Sequence, residues 1–315
     1  GMWNFALHET VAEAFKAREE EKCHGKVWVP SNWQLSNKKQ NVTDIPLYTN
    51  VKYIIPTDPL VLPESNPTGF YRTEFQVPQH WQGRRVLVSF GGVDSCLYLY
   101  TNGVYVGYSS DSRLPAEFDL TDFISPDLRP LTLEVIVPRF SMGSYLEDQD
   151  MWNLSGIFRE VVVYALPLPL HIRDFDWKCS PVGYIPASST FSSAVIDVQV
   201  SLEWSTCFLQ KMVDGSNKVR SDSPHYNQLS NDWEIGVSLF NEGVLISSRR
   251  TSTAQEFIFD NPEIEPILSE REIKVPVPHN IGESSTIGVI IETKLHTQNV
   301  KAWSPESPHV YTLVF

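Results

Sequence analysis

The sequence predicts an all-β protein made of two β-sandwich domains. Its 315 residues include 9 Trp, 12 Tyr and 16 Phe beside 22 Pro and 16 Gly, a composition typical of strands joined by tight turns. Apolar and polar residues also alternate along much of the chain, as they do in half-buried strands. A chain of this length exceeds one ordinary sandwich and is long enough to bury two cores.

The only helix that the sequence predicts lies near its beginning, between His8 and Glu21. Ala, Glu, Lys and Arg are dense there, and these residues favour helix. The first clear strand runs from Tyr71 to Val77, because aromatic and apolar residues fall on one face while Arg72 and Glu74 fall on the other. We therefore expect this strand to be half-buried.

A β-hairpin is predicted around Asn102-Gly103, which is flanked by strands at Cys96–Tyr100 and Val104–Tyr108. Asn-Gly accepts positive φ at both central positions of a type I′ turn. The alternation continues through residues 131–137, and Glu160 to Tyr164 is predicted to be a fully buried strand. The first domain is therefore expected to consist mainly of short strands.

The domain boundary is predicted between Ala165 and Leu170, where Pro167 and Pro169 cannot donate to a β-ladder. The first domain then spans residues 1–167 and the second spans residues 168–315. Apolar residues share one face along 194–204, and residues 235–239 lead through the turn Asn241-Glu242-Gly243 into another strand.

Further strands of the second domain are predicted at Glu272–Val277, Thr286–Glu292 and Val310–Phe315. About seven short strands in a domain of this size are typical of an immunoglobulin-like β-sandwich. The polar run from Leu209 to Asp232 is expected to be a long loop.

The net charge argues against two classes of partner. Thirty-eight acidic residues against 25 basic ones give a formal charge of −13, and this field repels nucleic-acid phosphates and anionic lipid headgroups. No apolar run reaches the length of a membrane span.

The four cysteines, Cys23, Cys96, Cys179 and Cys207, are widely spaced, so we expect buried free thiols and a cytoplasmic location.

The densest group of polar residues outside the strands is the segment Gly143–Gly156. It holds three carboxylates and two aromatic residues: Glu147, Asp148, Asp150, Tyr145 and Trp152. Carboxylates among aromatic rings suit a sugar, whose hydroxyls need acceptors and whose C–H face stacks on a ring, and they also suit a hard cation. A structural alternative remains open, in which the acidic loop binds backbone amides at the edge of the sandwich.

For two other segments, a ligand-binding interpretation and a structural interpretation also compete. Residues 29–34 and 46–50 combine amides with aromatic rings, yet Asn32 and Trp33 could equally form turns over an apolar edge. In the segment Asp111–Asp119, the structural interpretation is favoured, with Arg113 paired to a carboxylate. The histidines are scattered and pair with no convincing nucleophile.

Five motifs occur in the order found in one known family: VPSNWQ, PLYTNVKYII, NPTGFYR, TNGVYVGYSSDSRLPAEFDLT and GSYLEDQDMWNLSGIFREV. At these motifs the chain resembles the amino-terminal half of the large bacterial-type β-galactosidases of glycoside hydrolase family 2. The resemblance implies a jelly-roll-like β-sandwich, then an immunoglobulin-like β-sandwich, and then a catalytic (β/α)8 barrel that is absent from this sequence.

The same resemblance implies which residues contribute to an active site. Both catalytic glutamates and the magnesium ligands of the family lie on the barrel, so no catalytic residue is assigned to this chain. Asn50 would bind galactosyl hydroxyls, and Asp150 would hold the C6 hydroxyl of the sugar and ligate a sodium ion, for which a hard carboxylate oxygen is suitable. The one Asn-Glu pair, Asn241-Glu242, lies in a predicted turn.

The resulting hypothesis is a non-catalytic part of a β-galactosidase that completes the glycone site of a barrel. We expect the parent protein to be a homo-oligomer and the isolated chain to be inactive on β-galactosides. Two alternatives remain: a free-standing carbohydrate-binding module, and a module that mainly forms an oligomer interface.

Overall fold

The computed structural model describes residues 1–36, 44–50, 52, 54–55, 61–147, 149–168, 170–204, 234–252 and 288–315. They divide into two compact units, Gly1–Leu166 and Pro167–Phe315, and the predicted boundary lies one residue beyond the end of the first. Strands dominate both units, which confirms the all-β prediction. The predicted loop at Leu209–Asp232 and strand at Glu272–Val277 lie outside the described residues, as do Asp148 and Cys207.

The first unit is a β-sandwich. Its described strands are β1 (Met2–His8), β2 (Gly25–Trp28), β3 (Thr68–Phe75), β4 (Val86–Phe90), β5 (Val93–Asp94), β6 (Leu97–Thr101), β7 (Val104–Ser109), β8 (Ala116–Asp119), β9 (Leu131–Pro138), β10 (Gly156–Ile157) and β11 (Val161–Ala165). One sheet has the order β2-β1-β3-β9-β6-β7, the opposite sheet has the order β11-β4-β8, and β10 pairs with β5. All of these pairings are antiparallel.

Side chains from both sheets fill the core of the first unit. Tyr71 and Leu99 come from the larger sheet and Phe90 from the smaller one, and all three are fully buried. The Phe5 ring lies between Tyr71 and Trp33, with centroid distances of 4.8 and 6.3 Å. Trp33 belongs to a short 3-10 helix, Trp33–Leu35, so this residue of the VPSNWQ motif is part of the core.

The predicted helix is present as α1, Val11–Glu19, and it begins later than expected because His8 pairs with Thr68 as the last residue of β1. The Thr10 hydroxyl accepts a hydrogen bond from the Glu13 N–H at 3.2 Å, which caps the helix. The helix buries Ala14 and Ala17 against Phe70 and Ile136 of the larger sheet. The strand predicted at Tyr71–Val77 is β3, which begins earlier, at Thr68, and ends at Phe75. From Tyr71 onward it is half-buried as predicted, with Arg72 and Glu74 on the more exposed face, whereas α1 covers Phe70 on the outer face of its first half.

Both predicted tight turns are confirmed. Asn102 and Gly103 have φ values of +49° and +79° in the turn between β6 and β7, and Glu242 and Gly243 have φ values of +50° and +80° in the turn predicted at Asn241-Glu242-Gly243. The strand predicted at Glu160–Tyr164 is β11, but it is not fully buried, and Val162 is 42% exposed. The reason is its position at the edge of the smaller sheet, where β4 is its only partner among the described strands.

The second unit is also a sandwich. Its described strands are β12 (Leu170–Ile185), β13 (Thr190–Trp204), β14 (Glu234–Asn241), β15 (Val244–Ser252), β16 (Gly288–Lys301) and β17 (Tyr311–Val314). They form two antiparallel sheets of three strands, β12-β13-β16 and β15-β14-β17. As predicted, one face of β13 is buried from Ala194 to Leu202, and it packs with Val237 and Leu239 of β14.

Two strands of the second unit differ from their predictions. β12 is not predicted from the sequence, because its register shifts between Ile172 and Asp174 and this shift interrupts the alternation of side chains. The strand predicted at Thr286–Glu292 is β16, which continues to Lys301. The inward positions of that extension include Thr293 and Thr297, and these buried threonines hide the apolar pattern.

Among the described cysteines, Cys23, Cys96 and Cys179 are free thiols, as expected. Only Cys96 is buried, while Cys23 is half-buried and Cys179 is exposed.

Within the described residues, no helix combines the length and the apolar character that crossing a membrane requires.

The tight packing around Gly69 gives a first prediction. A Cβ at this position would lie 2.9 Å from ring carbons of both Phe5 and Tyr71. We expect Gly69→Ala to lower the free energy of unfolding of the first unit by about 1–3 kcal/mol, because the aromatic core must shift. Urea unfolding followed by Trp fluorescence measures this change.

Gly236→Ala is the matched control, since its nearest heavy atom, Arg250 Cγ, is 4.0 Å from the added Cβ. This variant should keep the stability of the second unit or raise it by up to about 1 kcal/mol. Wild-type stability of Gly69→Ala would contradict the tight packing of the Phe5, Trp33 and Tyr71 rings.

Candidate functional site

Two loops of the first unit run side by side and carry both nominated residues. Leu47 and Asn153 form a β-bridge, in which the Asn153 N–H donates to the Leu47 carbonyl at 2.7 Å. The return bond, from the Leu47 N–H to the Asn153 carbonyl, is 3.4 Å. We call residues 44–50 and 149–155 the loop pair. Asn50 lies on the first loop and Asp150 on the second.

Arg139, the residue directly after β9, is buried and contacts both loops of the loop pair. Its guanidinium is almost fully buried and forms an ion pair with Asp44. Its Nη2 donates to the carbonyl of Ile45 at 3.2 Å and to that of Asn153 at 3.5 Å. One cation therefore contacts the backbone of both loops.

The Asp44 carboxylate extends this network to the VPSNWQ motif. Its Oδ2 accepts hydrogen bonds from Trp33 Nε1 and Gln34 Nε2, both at 2.9 Å. The Gln34 side-chain oxygen accepts from the Ser155 N–H at 3.0 Å, and Asn32 donates to the Ser155 carbonyl at 3.4 Å. These contacts support the structural interpretation of Asn32 and Trp33, which hold the loop pair instead of facing a ligand.

Asp150 is exposed, and its closest partner is a tyrosine of the opposite loop. The Tyr48 hydroxyl donates to Asp150 Oδ1 at 2.6 Å, and this bond raises the pKa of Tyr48. The Tyr48 ring lies 5.6 Å from the ring of Trp152, at an interplanar angle of 45°. Tyr48 is 47% exposed and Trp152 is 61% exposed. Asn50, two residues beyond Tyr48, is exposed as well.

The carboxylates of the segment Gly143–Gly156 have different roles. The Glu147 carboxylate accepts hydrogen bonds from the hydroxyl and the N–H of Ser112. The structural interpretation therefore holds for Glu147, whereas Asp150 lies in the loop pair. The segment also begins with an unpredicted 3-10 helix, Met142–Tyr145, in which the Ser144 hydroxyl accepts from the Ser141 N–H at 3.0 Å.

Arg113 pairs with a carboxylate, as predicted, but its partner comes from β5. The Arg113 guanidinium lies 2.9 Å from Asp94 and donates to the Met151 sulfur at 3.5 Å. Asp94, Arg113, Arg139, Met151 and Asn153 line part of a cavity of about 20 Å³, the room of one water molecule. Burial raises the pKa of Asp94 to about 6 although Arg113 opposes the shift.

Arg139, Asp44 and Asp94 are residues of this site that the sequence does not predict. Arg139 could have been suspected, because it is a lone cation directly after an apolar strand. Its partners cannot be read from the chain, since Asp44 is 95 residues away. Among the described residues, no three His, Cys, Asp or Glu side chains come together in a way that could hold a metal ion.

The loop pair has the chemistry of a sugar-contacting surface. It presents a carboxylate, an amide and two aromatic rings to solvent, on a framework fixed by buried hydrogen bonds. Sugar hydroxyls need such acceptors and donors, and sugar C–H faces pack on rings. A retaining glycosidase also needs two carboxyl groups about 5 Å apart, acting as acid and nucleophile. Within the described part of the loop pair, Asp44 and Asp150 are the only carboxylates, and Arg139 already neutralises Asp44.

Comparisons with known proteins agree with this chemistry. Residues 1–167 match the family model described as glycosyl hydrolases family 2, sugar binding domain. The chain is 34% identical to a β-galactosidase of Psychromonas ingrahamii over its whole length and covers 25% of that protein. It is 35% identical to a β-galactosidase of Aeromonas hydrophila subsp. hydrophila, with 99% of this chain and 26% of the relative covered.

The fold is also found in solved structures. A β-glucuronidase of Bifidobacterium dentium matches 99% of this chain and 43% of its own, with a TM-score of 0.60 and 14% identity. A variant of Bacteroides uniformis β-glucuronidase 2 matches 99% of this chain and 29% of its own, with a TM-score of 0.59 and 19% identity. At these identities the match shows the fold alone. The chain spans about a quarter of the length of the two β-galactosidases.

The buried Asp94 gives a prediction about pH. Because its pKa is raised to about 6 in the folded chain, the protonated form is favoured by folding, and this contribution is lost as pH rises through 6. Between pH 4 and pH 7, we expect the stability of wild type to fall by about 2 kcal/mol more than the stability of Asp94→Asn. Urea unfolding at several pH values measures the difference.

Asp122→Asn is the charge-matched control, since Asp122 is exposed in the same unit. Comparison with this variant at each pH corrects for the loss of one acidic side chain. A stability difference between Asp94→Asn and this control that does not change with pH would contradict the assignment of the raised pKa to Asp94.

Proposed function

Because this chain belongs to glycosyl hydrolase family 2 and its first unit is the sugar binding domain of that family, we propose that it is the non-catalytic amino-terminal part of a β-galactosidase. In this proposal the loop pair contributes galactose-contacting residues to an active site whose acid and nucleophile lie on a barrel outside this chain. The parent enzyme then hydrolyses terminal β-galactosyl residues.

The choice of a galactoside over a glucuronide rests on the relatives. The two proteins that match essentially the whole chain at 34% and 35% identity are both β-galactosidases. The structural matches to β-glucuronidases have 14% and 19% identity and therefore support the architecture only.

The observation that carries the proposal is the exposed position of Asn50 and Asp150 on one rigid loop pair. The Leu47–Asn153 bridge and the Arg139 contacts fix both loops, while the two nominated side chains remain accessible. In the proposed site, Asn50 binds galactosyl hydroxyls and Asp150 binds the C6 hydroxyl.

Asp150 also fits the role of a sodium ligand. Among the described residues its carboxylate is engaged only through Oδ1, by Tyr48, so Oδ2 is available as a hard oxygen donor. Bound sodium would neutralise the carboxylate beside the sugar and orient the C6 hydroxyl. The remaining sodium ligands, and all magnesium ligands, are assigned to the barrel.

Catalysis is assigned to the barrel by the resemblance to the family, and the Asn-Glu pair of this chain is assigned a structural role. Glu242 of the Asn-Glu pair has φ +50° in the turn between β14 and β15, and its carboxylate lies 3.8 Å from the His309 ring. This is the geometry of a hairpin turn, and Glu242 is therefore given no catalytic role. The parent enzyme is proposed to be a homo-oligomer.

A second candidate is a free-standing carbohydrate-binding module. The observation in its favour is the exposed Tyr48–Trp152 ring pair, since aromatic rings bind sugar faces. The two candidates differ in affinity. A module binds galactosides alone, whereas a part of a larger site buries little of the ligand and binds weakly.

We expect the isolated chain to fold, to hydrolyse no β-galactoside and to bind galactose only weakly. The lack of hydrolysis and the weak binding follow from the assignment of the acid, the nucleophile and most of the pocket to the barrel. A chromogenic β-galactoside assay and isothermal titration with galactose measure them. Turnover by a rigorously purified sample would contradict the assignment of catalysis, and tight binding would favour the module.

We expect Asp150→Asn in the full-length enzyme to lower kcat/KM by about 10- to 100-fold and to weaken its dependence on sodium. The substitution keeps the shape but removes the charge that a sodium ion requires. Steady-state kinetics across a sodium titration at constant ionic strength measure both effects.

Asp122→Asn serves again as the charge-matched control and should keep wild-type kinetics. The melting temperature of Asp150→Asn should also change little, because the side chain is exposed. A lowered melting temperature with an unchanged sodium response would assign Asp150 to the scaffold of the loop.

A further inference from the structure

Tyr48, on the first loop of the loop pair, forms a hydrogen bond with Asp150 on the second loop. Its hydroxyl lies 2.6 Å from Asp150 Oδ1, a length typical of an O–H···O⁻ bond to a charged acceptor. Tyr48 and Asp150 are 102 residues apart in the chain. The contact therefore exists only because the two loops are aligned.

We propose that Tyr48 is a positioning residue for Asp150: its hydroxyl holds Oδ1 so that Oδ2 is presented to the sodium ion and the galactosyl C6 hydroxyl. This inference rests on the proposed function of Asp150 and extends it to the residue that orients it.

Asp150 needs such a partner because packing does not fix it. The residue is exposed, and among the described residues Tyr48 is its only hydrogen-bond donor. An unrestrained carboxylate would rotate among several rotamers and would lose this freedom each time it bound the ion. Fixing one oxygen in advance lowers that cost and leaves one oxygen for the ligand.

Tyr48 is itself well fixed. It follows Leu47, whose backbone pairs with Asn153, and its ring packs against Trp152 on the opposite loop. Behind the bridge, Arg139 contacts the Ile45 and Asn153 carbonyls. The hydroxyl is thus attached to the rigid part of the loop pair, and an anchor that moves little can hold a side chain that would otherwise move.

The test is Tyr48→Phe in the full-length enzyme, since this change removes only the hydroxyl. With a chromogenic β-galactoside as substrate, we expect the half-saturating sodium concentration to rise about 3- to 10-fold, less than a buried charged hydrogen bond would give because the pair is exposed. Saturating sodium should restore most of kcat/KM. The melting temperature should remain that of wild type.

Tyr164→Phe is the matched control. Its hydroxyl donates to the Glu117 carboxylate at 2.8 Å between β11 and β8, outside the loop pair. The control therefore removes a tyrosine–carboxylate hydrogen bond of the same kind from the same unit. It should leave the sodium response unchanged.

A double-mutant cycle with Asp150→Asn separates positioning from direct contact. If Tyr48 acts only through Asp150, Tyr48→Phe should change the sodium response of the Asp150→Asn enzyme by less than about two-fold. A further loss in that background would mean that Tyr48 contacts the ion or sugar itself, and it would overturn the positioning role.

The two single variants distinguish a failure of the role of Tyr48 from a failure of the proposed function of Asp150. An altered sodium response in Asp150→Asn with a wild-type response in Tyr48→Phe would overturn the role of Tyr48 and leave the proposed function intact. A wild-type response in Asp150→Asn would overturn the proposed function of that residue, and the role of Tyr48 with it.

Discussion

The buried ion pair between Arg139 and Asp44 is the constraint on which the loop pair depends. An isolated cation inside a sandwich is very unfavourable, so the Arg139 guanidinium must collect acceptors around it. It does so from one carboxylate and from the backbone carbonyls of Ile45 and Asn153. The energetic need to satisfy one charge thereby fixes the relative position of two loops that are distant in sequence.

Polar residues in the sequence motifs or next to them fall into two groups that their spacing does not distinguish. Gln34, Asp44 and Glu147 have most of their hydrogen bonds inside the first unit, to main-chain N–H groups or to buried partners. Asn50 and Asp150 remain exposed. A site of this kind contains more scaffold than contact residues, because each exposed side chain needs several buried ones to hold its backbone.

Features encoded by neighbouring residues could be predicted from the sequence, and features that depend on distant partners could not. Asn102-Gly103 carries its own turn conformation, and α1 has a local cap at Thr10. The burial of β3 on both faces depends on α1 packing against Phe70, and the edge position of β11 depends on sheet order. Asn50 and Asp150 came from motif resemblance, whereas the role of Arg139 required the fold.

The double attachment of the first loop limits how its length can evolve. Surface loops usually accept insertions because their backbone makes few specific contacts. Here Asp44 is held by Arg139, and Leu47 is held by Asn153. Adding one residue between these two attachments would turn Tyr48 away from the second loop or break one attachment. Natural variation in length should therefore accumulate outside residues 44–50, and substitutions inside them should preserve the spacing.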